Sequence, residues 1–235
     1  MKVAILMLAA GRGTRFGGAV PKAYLRLRGI PLVQHGATRL LRALTDLHRC
    51  ELVLVVHPQD RSNHLAACLP AIIGLDPRVP VQCVDGGASR QESMTRGLAA
   101  CSIDADFVVV QDAARPFVPI AASRACVAAA AAHGAAVVAI PAPDTLKRAR
   151  NGLVAATLDR TDVWLAQTPQ VVRRELLQRA MAHAAATGFT GTDDVSLVEH
   201  LGADVAIVPG DPSNLKITRP EDLPLAEAIL AAELA

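Results

Sequence analysis

An apolar run near the amino terminus constrains the fold of this chain more than any other stretch. Residues 3–10 read VAILMLAA and carry no charge. The loop that follows brings together glycines and cations, at Gly11, Gly13, Arg15 and Lys22. An apolar run of this length is typical of a strand covered on both faces, and glycines let backbone N–H groups approach a ligand closely. The stretch therefore predicts a buried strand leading into a loop that binds an oligophosphate.

Two better-known glycine loops do not fit the same residues. A dinucleotide loop needs G-x-G-x-x-G, but the third glycine position holds Phe16. A P-loop needs Lys and Ser or Thr after its last glycine, whereas Gly18 is followed by Ala19 and Val20. A secretory signal peptide would explain the apolar run, but it would not explain the cations that follow.

Composition limits the classes of protein that are compatible with the chain. With 235 residues and 51% hydrophobic content, one large core can form, and a single domain over residues 1–235 is the simplest expectation. A net charge of +2 and 3% aromatic residues argue against a nucleic-acid surface. Five cysteines without a C-x-x-C pair predict reduced thiols and a cytoplasmic location, and no apolar run is long enough to span a membrane. The seven histidines lack zinc-site spacing.

Strand and helix patterns alternate along most of the chain, which predicts a mostly parallel sheet with helices on both faces. The strands are expected at 3–10, 51–57, 81–84, 106–110, 136–140 and 204–208. The helices are expected at 31–44, 60–69, from 89 onward, 120–132, 173–186 and after Pro220.

Two segments between these elements are candidates for a ligand site. Ser89 and Glu92 have capping-box spacing, so Gly86 and Gly87 form either a simple strand-to-helix turn or part of a site at the carboxyl edge of the sheet. Asp112 follows a buried strand and is a turn residue, a ligand for a divalent cation or a partner for a substrate hydroxyl. The neighbouring Arg115 favours a site that handles anions.

The second half of the chain departs from the alternating pattern. Residues 144–160 contain Asn151-Gly152 between two extended runs, which predicts a hairpin that packs either on its own domain or on a second subunit, and we favour the second subunit. In the sequence TDD, Thr192 is expected to cap a helix whose positive end favours the two aspartates. Lys216, between Leu215 and Ile217, lies at a strand edge or serves as an anion ligand.

Eight motifs in order carry a resemblance to one family. They are AAGRGTRF…PK, GGASRQES, VQDAARPF, PDTLKR, LDR, TPQ, TDD and NLKITRPEDL. Together they resemble the 2-C-methyl-D-erythritol 4-phosphate cytidylyltransferases over nearly the whole chain. The resemblance implies an α/β nucleotidyltransferase fold, Rossmann-like, with a mixed and mostly parallel sheet and a projecting β-arm at about residues 141–165 that makes a homodimer. It also implies a Mg²⁺-dependent reaction of CTP with methylerythritol phosphate in non-mevalonate isoprenoid biosynthesis.

The resemblance also implies a role for each matching residue. Arg15, Lys22, Arg160 and Lys216 would be catalytic, and Arg160 would reach the site of the other subunit. The CTP contacts would be Ala9, Ala10, Gly11, Gly13, Gly87, Ser93 and Asp112. The methylerythritol phosphate contacts would be Asp112, Arg115, Thr145, Arg160, Thr168, Thr192 and Lys216. Mg²⁺ would be held mainly by the CTP phosphates, with Asp112 as a further ligand.

The chain departs from the family pattern at two positions and leaves two rival functions open. Ala88 stands where an acidic residue is common after the double glycine, and Ala23 stands where Gln often follows Pro-Lys. A ribitol 5-phosphate cytidylyltransferase would share the fold and the phosphate-binding loop and would differ in the polyol that it accepts. A catalytically silent nucleotide-binding protein is the alternative from another class, and the retained cations argue against it.

Overall fold

The structure is a computed structural model that describes residues 1–11, 16–17 and 20–233. Two residues of the predicted phosphate loop, Gly13 and Arg15, lie outside the described residues. The roles predicted for them therefore stay predictions.

Seven of the eleven strands in the described residues form one large sheet, and the buried apolar run of the sequence lies inside it. The strands in chain order are β1 (Lys2–Ala9), β2 (Arg26–Leu27), β3 (Ile30–Pro31), β4 (Arg49–Val56), β5 (Val81–Asp85), β6 (Phe107–Asp112), β7 (Ala135–Pro141), β8 (Leu146–Arg150), β9 (Leu153–Leu158), β10 (Trp164–Arg173) and β11 (Ala206–Pro209). The order in the large sheet is β11-β7-β10-β6-β1-β4-β5. Neighbours are parallel except β10, which runs antiparallel to both β6 and β7. The other four strands form two small sheets, β2 with β3 and β8 with β9.

Helices cover both faces of this sheet, as the alternating pattern predicts. They are α1 (Leu32–Leu44), α2 (Ala66–Ile73), α3 (Arg90–Ala100), α4 (Ile120–His133), α5 (Arg174–Thr187), α6 (Val195–His200) and α7 (Asp222–Glu233). Side chains of β1 alternate between two apolar cores, with Ile5 in the core under α1 and α4 and Leu6 in the core under α3 and α5. Because both faces are covered, every residue from Val3 to Met7 is fully buried, which is why the run contains no polar side chain.

The hairpin predicted around Asn151-Gly152 is present as a separate two-stranded sheet, β8 and β9. Both turn residues have positive φ, 51° and 79°, which this pair of residues tolerates. Leu153 and Val154 are 76% and 66% exposed, so the apolar side chains at the tip of the hairpin are not covered by the described residues. An isolated hairpin of this kind is marginal in water.

Three sequence expectations were incomplete or wrong. The segment from Trp164 to Arg173 was not predicted as a strand, because buried polar residues and Pro169 interrupt its apolar pattern. Thr192 does not cap a helix: α6 begins at Val195 and its N-cap residue is Asp194. Residues 213–218 contain no strand, so Lys216 lies in an irregular segment.

Candidate active site

A cavity of about 480 Å³ lies at the carboxyl edge of the large sheet. It is lined by Leu8, Ala9, Ala10, Gly11, Lys22, Ala23, His57, Gly87, Ala88, Ser89, Arg90, Ser93, Asp112, Ala113, Ala114 and Lys216. The residues come from the ends of β1, β4 and β6, from the turn after β5 with the start of α3, from the short 3-10 turn that begins at Lys22, and from the irregular segment that carries Lys216. Open α/β sheets bind ligands at this edge, because the loops there diverge and helix N-termini point toward the crevice.

The first wall of the cavity is the end of β1 and the loop that returns at Lys22. Ala9, Ala10 and Gly11 present backbone and small side chains to the cavity. Lys22 begins a short 3-10 turn, Lys22–Tyr24, whose next two residues are buried. Burial of those neighbours anchors the turn that places Lys22 at the cavity wall.

The second wall is the glycine turn between β5 and α3. Ser89 caps α3 by accepting a hydrogen bond from the Glu92 N–H at 3.0 Å, which confirms the predicted helix start. The Glu92 carboxylate accepts from the Ala88 N–H at 2.8 Å, one residue before the capping-box partner. The Gly87 N–H donates to Ser93 Oγ at 3.0 Å, so the turn is tied to the first turn of the helix.

The double glycine is required by close packing, since neither residue has positive φ. A Cβ atom on Gly86 would lie 2.3 Å from the Ala10 Cβ, and one on Gly87 would lie 2.3 Å from Glu92 carbons. Real Cβ atoms do not approach other atoms so closely. The turn can therefore lie against the β1 loop only because Gly86 has no side chain, and Gly87 leaves the space that the Glu92 side chain occupies.

The third wall is built around Asp112, at the end of β6. Its Oδ2 accepts a hydrogen bond from the Lys216 ammonium at 2.6 Å, across 104 residues of sequence. Burial acts to raise the pKa of Asp112, but the charges of Lys216 and Arg90 outweigh it and hold the pKa below its ordinary value. The carboxylate is therefore ionised and fixes Lys216 at the cavity.

Sequence reasoning missed a charge pair beside Asp112. Arg90 donates two hydrogen bonds to the Asp194 carboxylate, at 2.6 and 2.7 Å, and its Nη2 lies 3.5 Å from Asp112 Oδ1. The Asp194 side chain is 1% exposed. Burial raises the pKa of Asp194 and the Arg90 charge opposes that rise, while the pKa of Arg90 is raised by Asp194 against its own burial. One indication of this pair was present in the sequence: Arg90 and Asp194 each lie within a segment that was predicted to contact a ligand.

Buried polar groups of the TPQ motif and of Asn214 hold the segments of this third wall in place. The Gln170 side-chain oxygen accepts from the N–H groups of Asp194 and Val195, at 2.9 and 3.0 Å, so it satisfies two backbone donors at the start of α6. The Thr168 hydroxyl accepts from the Asp112 N–H at 3.2 Å. Asn214 donates to the Thr168 carbonyl at 2.8 Å, which fixes the segment that carries Lys216.

Several predicted site residues do not line the cavity. Arg115 lies behind it and donates to the Asn214 carbonyl at 2.6 Å, and burial lowers its pKa against the opposing charge of Asp112. Thr168 is 3% exposed and acts on the Asp112 backbone. Thr192 is exposed and lies two residues before Asp194, the partner of Arg90. Thr145 and Arg160 are exposed on the hairpin segment, where Arg160 donates to the Pro143 carbonyl.

The donor set near the cavity fits a metal that arrives with a phosphate ligand better than a metal caged by protein. Within the described ranges, no cluster of three or more His, Cys, Asp or Glu side chains could hold a metal ion. Asp112 is the one carboxylate among the described lining residues. It is already shared by two cations, so it could supply a single oxygen ligand to an ion that is held otherwise by phosphates.

The fold and the cavity together define a class of protein. A mixed sheet carries a loop with glycines and cations after β1 and a double-glycine turn after β5. The Asp112–Lys216 pair lies on another wall of the same cavity. This arrangement is that of a nucleotidyltransferase, in which cations and backbone donors hold a nucleoside triphosphate beside an anionic acceptor.

Comparisons with known proteins specify the family. Residues 3–232 match the family model described as 2-C-methyl-D-erythritol 4-phosphate cytidylyltransferase. The cytidylyltransferase of that name from Chromobacterium violaceum is 46% identical over 231 residues, covering 97% of each chain. The one from Pelotomaculum thermopropionicum is 42% identical, covering 98% of this chain and 95% of its own. The chain belongs to the 2-C-methyl-D-erythritol 4-phosphate cytidylyltransferase family and is an enzyme of the nucleotidyltransferase class.

Solved structures agree with this assignment. The crystal structure of the 2-C-methyl-D-erythritol 4-phosphate cytidylyltransferase from Thermus thermophilus has a TM-score of 0.73 and 34% sequence identity to this chain. The match covers 97% of this chain and 98% of that one. None of the helices in the described part of this chain is long and apolar enough to cross a membrane.

Proposed function

We propose that this chain transfers CMP from CTP to 2-C-methyl-D-erythritol 4-phosphate and releases pyrophosphate. One observation carries the proposal at the level of the site. The Asp112–Lys216 pair lies in the same cavity as the β1 loop and the glycine turn, so a nucleotide and an anionic acceptor can meet there.

The chemistry needs no protein nucleophile. An oxygen of the acceptor phosphate attacks the α-phosphorus of CTP and forms a new P–O bond. The bond from the α-phosphorus to the oxygen bridging to the β-phosphorus breaks, and its electron pair leaves with pyrophosphate. The attacking oxygen is already ionised, so the work of the protein is to align two anions that repel each other and to stabilise charge at the α-phosphate.

The β1 loop is proposed to hold the triphosphate. Backbone groups of Ala9, Ala10 and Gly11, with Gly13, would surround the phosphates, and Lys22 with Arg15 would stabilise the charge that develops. The position of Lys22 on the cavity wall supports its part of this assignment. Mg²⁺ bound by the CTP phosphates, with Asp112 as a further ligand, would supply additional positive charge there.

The glycine turn is proposed to read the base. Gly87 and Ser93 would contact cytosine in a pocket too narrow for a purine, and the close packing of Gly86 on Ala10 supports this assignment. The Ser93 hydroxyl already donates to the Ser89 carbonyl at 2.9 Å and accepts from Gly87, so its orientation is fixed before a base binds. Ala88 offers only its backbone to the nucleotide.

The Asp112 side of the cavity is proposed to receive the methylerythritol phosphate. Lys216 has three ammonium donors, and its bond to Asp112 leaves the others for the attacking phosphate. Asp112, Arg115, Thr168 and Thr192 would surround the polyol, as would two residues of the hairpin segment, Thr145 and Arg160.

The hairpin segment is proposed to complete the site of a partner subunit in a homodimer. Exposed Leu153 and Val154 supply an apolar surface for such contact, and Arg160 lies outside the lining of its own cavity. A single catalytic domain over residues 1–235 remains part of this proposal. So does a cytoplasmic location, which free thiols at all five cysteines favour.

The test of the function measures pyrophosphate release from CTP and Mg²⁺ with each of two acceptors in separate reactions. Methylerythritol phosphate should support turnover, and ribitol 5-phosphate should not. Turnover with ribitol phosphate alone would assign the chain to the rival reaction. CTP binding without pyrophosphate release from either acceptor would favour a silent nucleotide-binding protein.

A further inference from the structure

The first turn of α3 contacts both halves of the proposed site. On the nucleotide side, Ser89 and Ser93 fix the glycine turn through hydrogen bonds to Glu92 N–H and Gly87 N–H. On the acceptor side, the Gln91 side-chain oxygen accepts from the Gly191 N–H at 3.2 Å. The same turn therefore contacts residues 191–194, the segment that carries Thr192.

Arg90 makes the strongest of these contacts. Its planar guanidinium donates twice to Asp194, at 2.6 and 2.7 Å, a geometry that fixes both position and orientation. The Asp194 side chain is 1% exposed and does not line the cavity, so it cannot act on a substrate directly. Its effect on the reaction must pass through Arg90 or through the segment it anchors.

The pair also lies beside Asp112, the carboxylate that Lys216 contacts. Arg90 Nη2 lies 3.5 Å from Asp112 Oδ1, while Lys216 donates to Oδ2 at 2.6 Å. Asp194, Arg90, Asp112 and Lys216 thus form a row of alternating charges. Without the Asp194 charge, Arg90 would turn toward Asp112 and compete with Lys216 for the same carboxylate.

We propose that the Arg90–Asp194 pair is a positioning device that joins the nucleotide half of the site to the acceptor half. It holds residues 191–194 against α3 and keeps Arg90 from displacing Lys216 on Asp112. Arg90 and Asp194 are then positioning residues for the acceptor phosphate, and this role rests on the proposed function. A purely structural pair would change stability and leave the kinetic constants of the folded enzyme unchanged.

The experiment compares wild type with Asp194→Asn, which keeps the shape of the side chain and removes its charge. Initial rates give kcat and KM for CTP and for methylerythritol phosphate, and calorimetry gives the CTP Kd without acceptor. We expect kcat/KM for the acceptor to fall about 10²-fold, because misplacement of a reacting group by about 1 Å has that effect. The CTP Kd should stay within about threefold of wild type, since the glycine turn keeps its own hydrogen bonds.

Asp104→Asn is the matched control. Asp104 also pairs with a cation, Lys2, but its side chain is 66% exposed and lies at the opposite edge of the sheet. This variant should keep the wild-type constants. Arg90→Lys is the second variant, because it keeps the charge and loses the two-pronged contact. It should show the same loss on the acceptor side, and the losses in the double variant should not add.

The outcomes separate the two proposals. Wild-type acceptor kinetics in folded Asp194→Asn, or in Arg90→Lys when the first variant does not fold, would overturn the positioning role. An equal loss in CTP affinity would also overturn it. Absence of turnover by the wild-type enzyme with methylerythritol phosphate would instead refute the proposed function.

Discussion

Gly86→Ala tests whether the two nucleotide-binding loops depend on direct contact between their backbones. The added Cβ would lie 2.3 Å from the Ala10 Cβ and 3.0 Å from Ser93 Oγ. Gly86 itself cannot retreat easily, because its N–H donates to the Val56 carbonyl at 2.8 Å and its carbonyl accepts from Arg96 at 2.9 Å. The displacement therefore falls on residues that line the cavity.

The magnitude follows from these distances. Carbon atoms in contact lie about 3.5–4.0 Å apart, so the β1 loop must shift by more than about 1 Å relative to the turn. Overpacking of this kind costs about 1–3 kcal/mol of stability. A shift of about 1 Å in a reacting group lowers the rate about 10²-fold, and we expect kcat/KM for CTP to fall by that factor.

Steady-state kinetics with varied CTP and urea unfolding provide the measurements. Gly74→Ala is the control, because its Cβ would meet the Pro70 and Ala71 carbonyls at 3.4 and 3.7 Å, which are ordinary contacts. It should keep full activity and full stability. If Gly86→Ala retained kcat/KM for CTP within about threefold of wild type, the close-packing argument would be wrong.

Three further predictions concern charge and assembly. Lys22→Ala should lower kcat about 10²–10³-fold with little change in CTP Kd, because Lys22 acts on developing charge, and equal losses in rate and affinity would contradict this. Mixed dimers of Arg160→Ala with Lys22→Ala subunits should regain part of the activity, whereas no recovery in verified heterodimers would refute a shared site. Because the pKa of Asp112 is lowered on folding, its stabilising contribution is complete above its unfolded pKa. That contribution should disappear as pH falls through the lowered pKa. In acid, the free energy of unfolding of Asp112→Asn, measured by urea titration, should therefore change less with pH than that of the wild type.

The sequence predicts the parallel part of the fold well, because most strands there contain a continuous apolar run between turn residues. The β1 run is the clearest case, since burial on both faces excludes polar side chains. The strand from Trp164 to Arg173 was missed for the opposite reason. It places Gln167, Thr168 and Gln170 in buried positions, where their polar groups bond to neighbouring segments that are distant in sequence.

The parts of the site that are formed by residues close in sequence could be predicted. The parts formed by contacts between distant segments could not. Gly87 and Ser93 lie on one capped helix start, so their proximity follows from local spacing. The contacts of Asp112 with Lys216 and of Arg90 with Asp194 each span 104 residues. Only the order of strands in the sheet brings those segments together, and no local propensity reports it. Asp194 therefore resembled an ordinary helix-start aspartate.

The proposed reaction transfers CMP directly to the acceptor phosphate, and oxygen labelling follows the atoms of that transfer. The enzyme would be incubated with CTP, Mg²⁺ and methylerythritol phosphate carrying ¹⁸O in its phosphate, and the products would be analysed by mass spectrometry. The account predicts that all label stays in the CDP-linked alcohol and none enters pyrophosphate. Label in pyrophosphate or in free phosphate, or a labelled acceptor recovered unchanged while CTP is consumed, would contradict it.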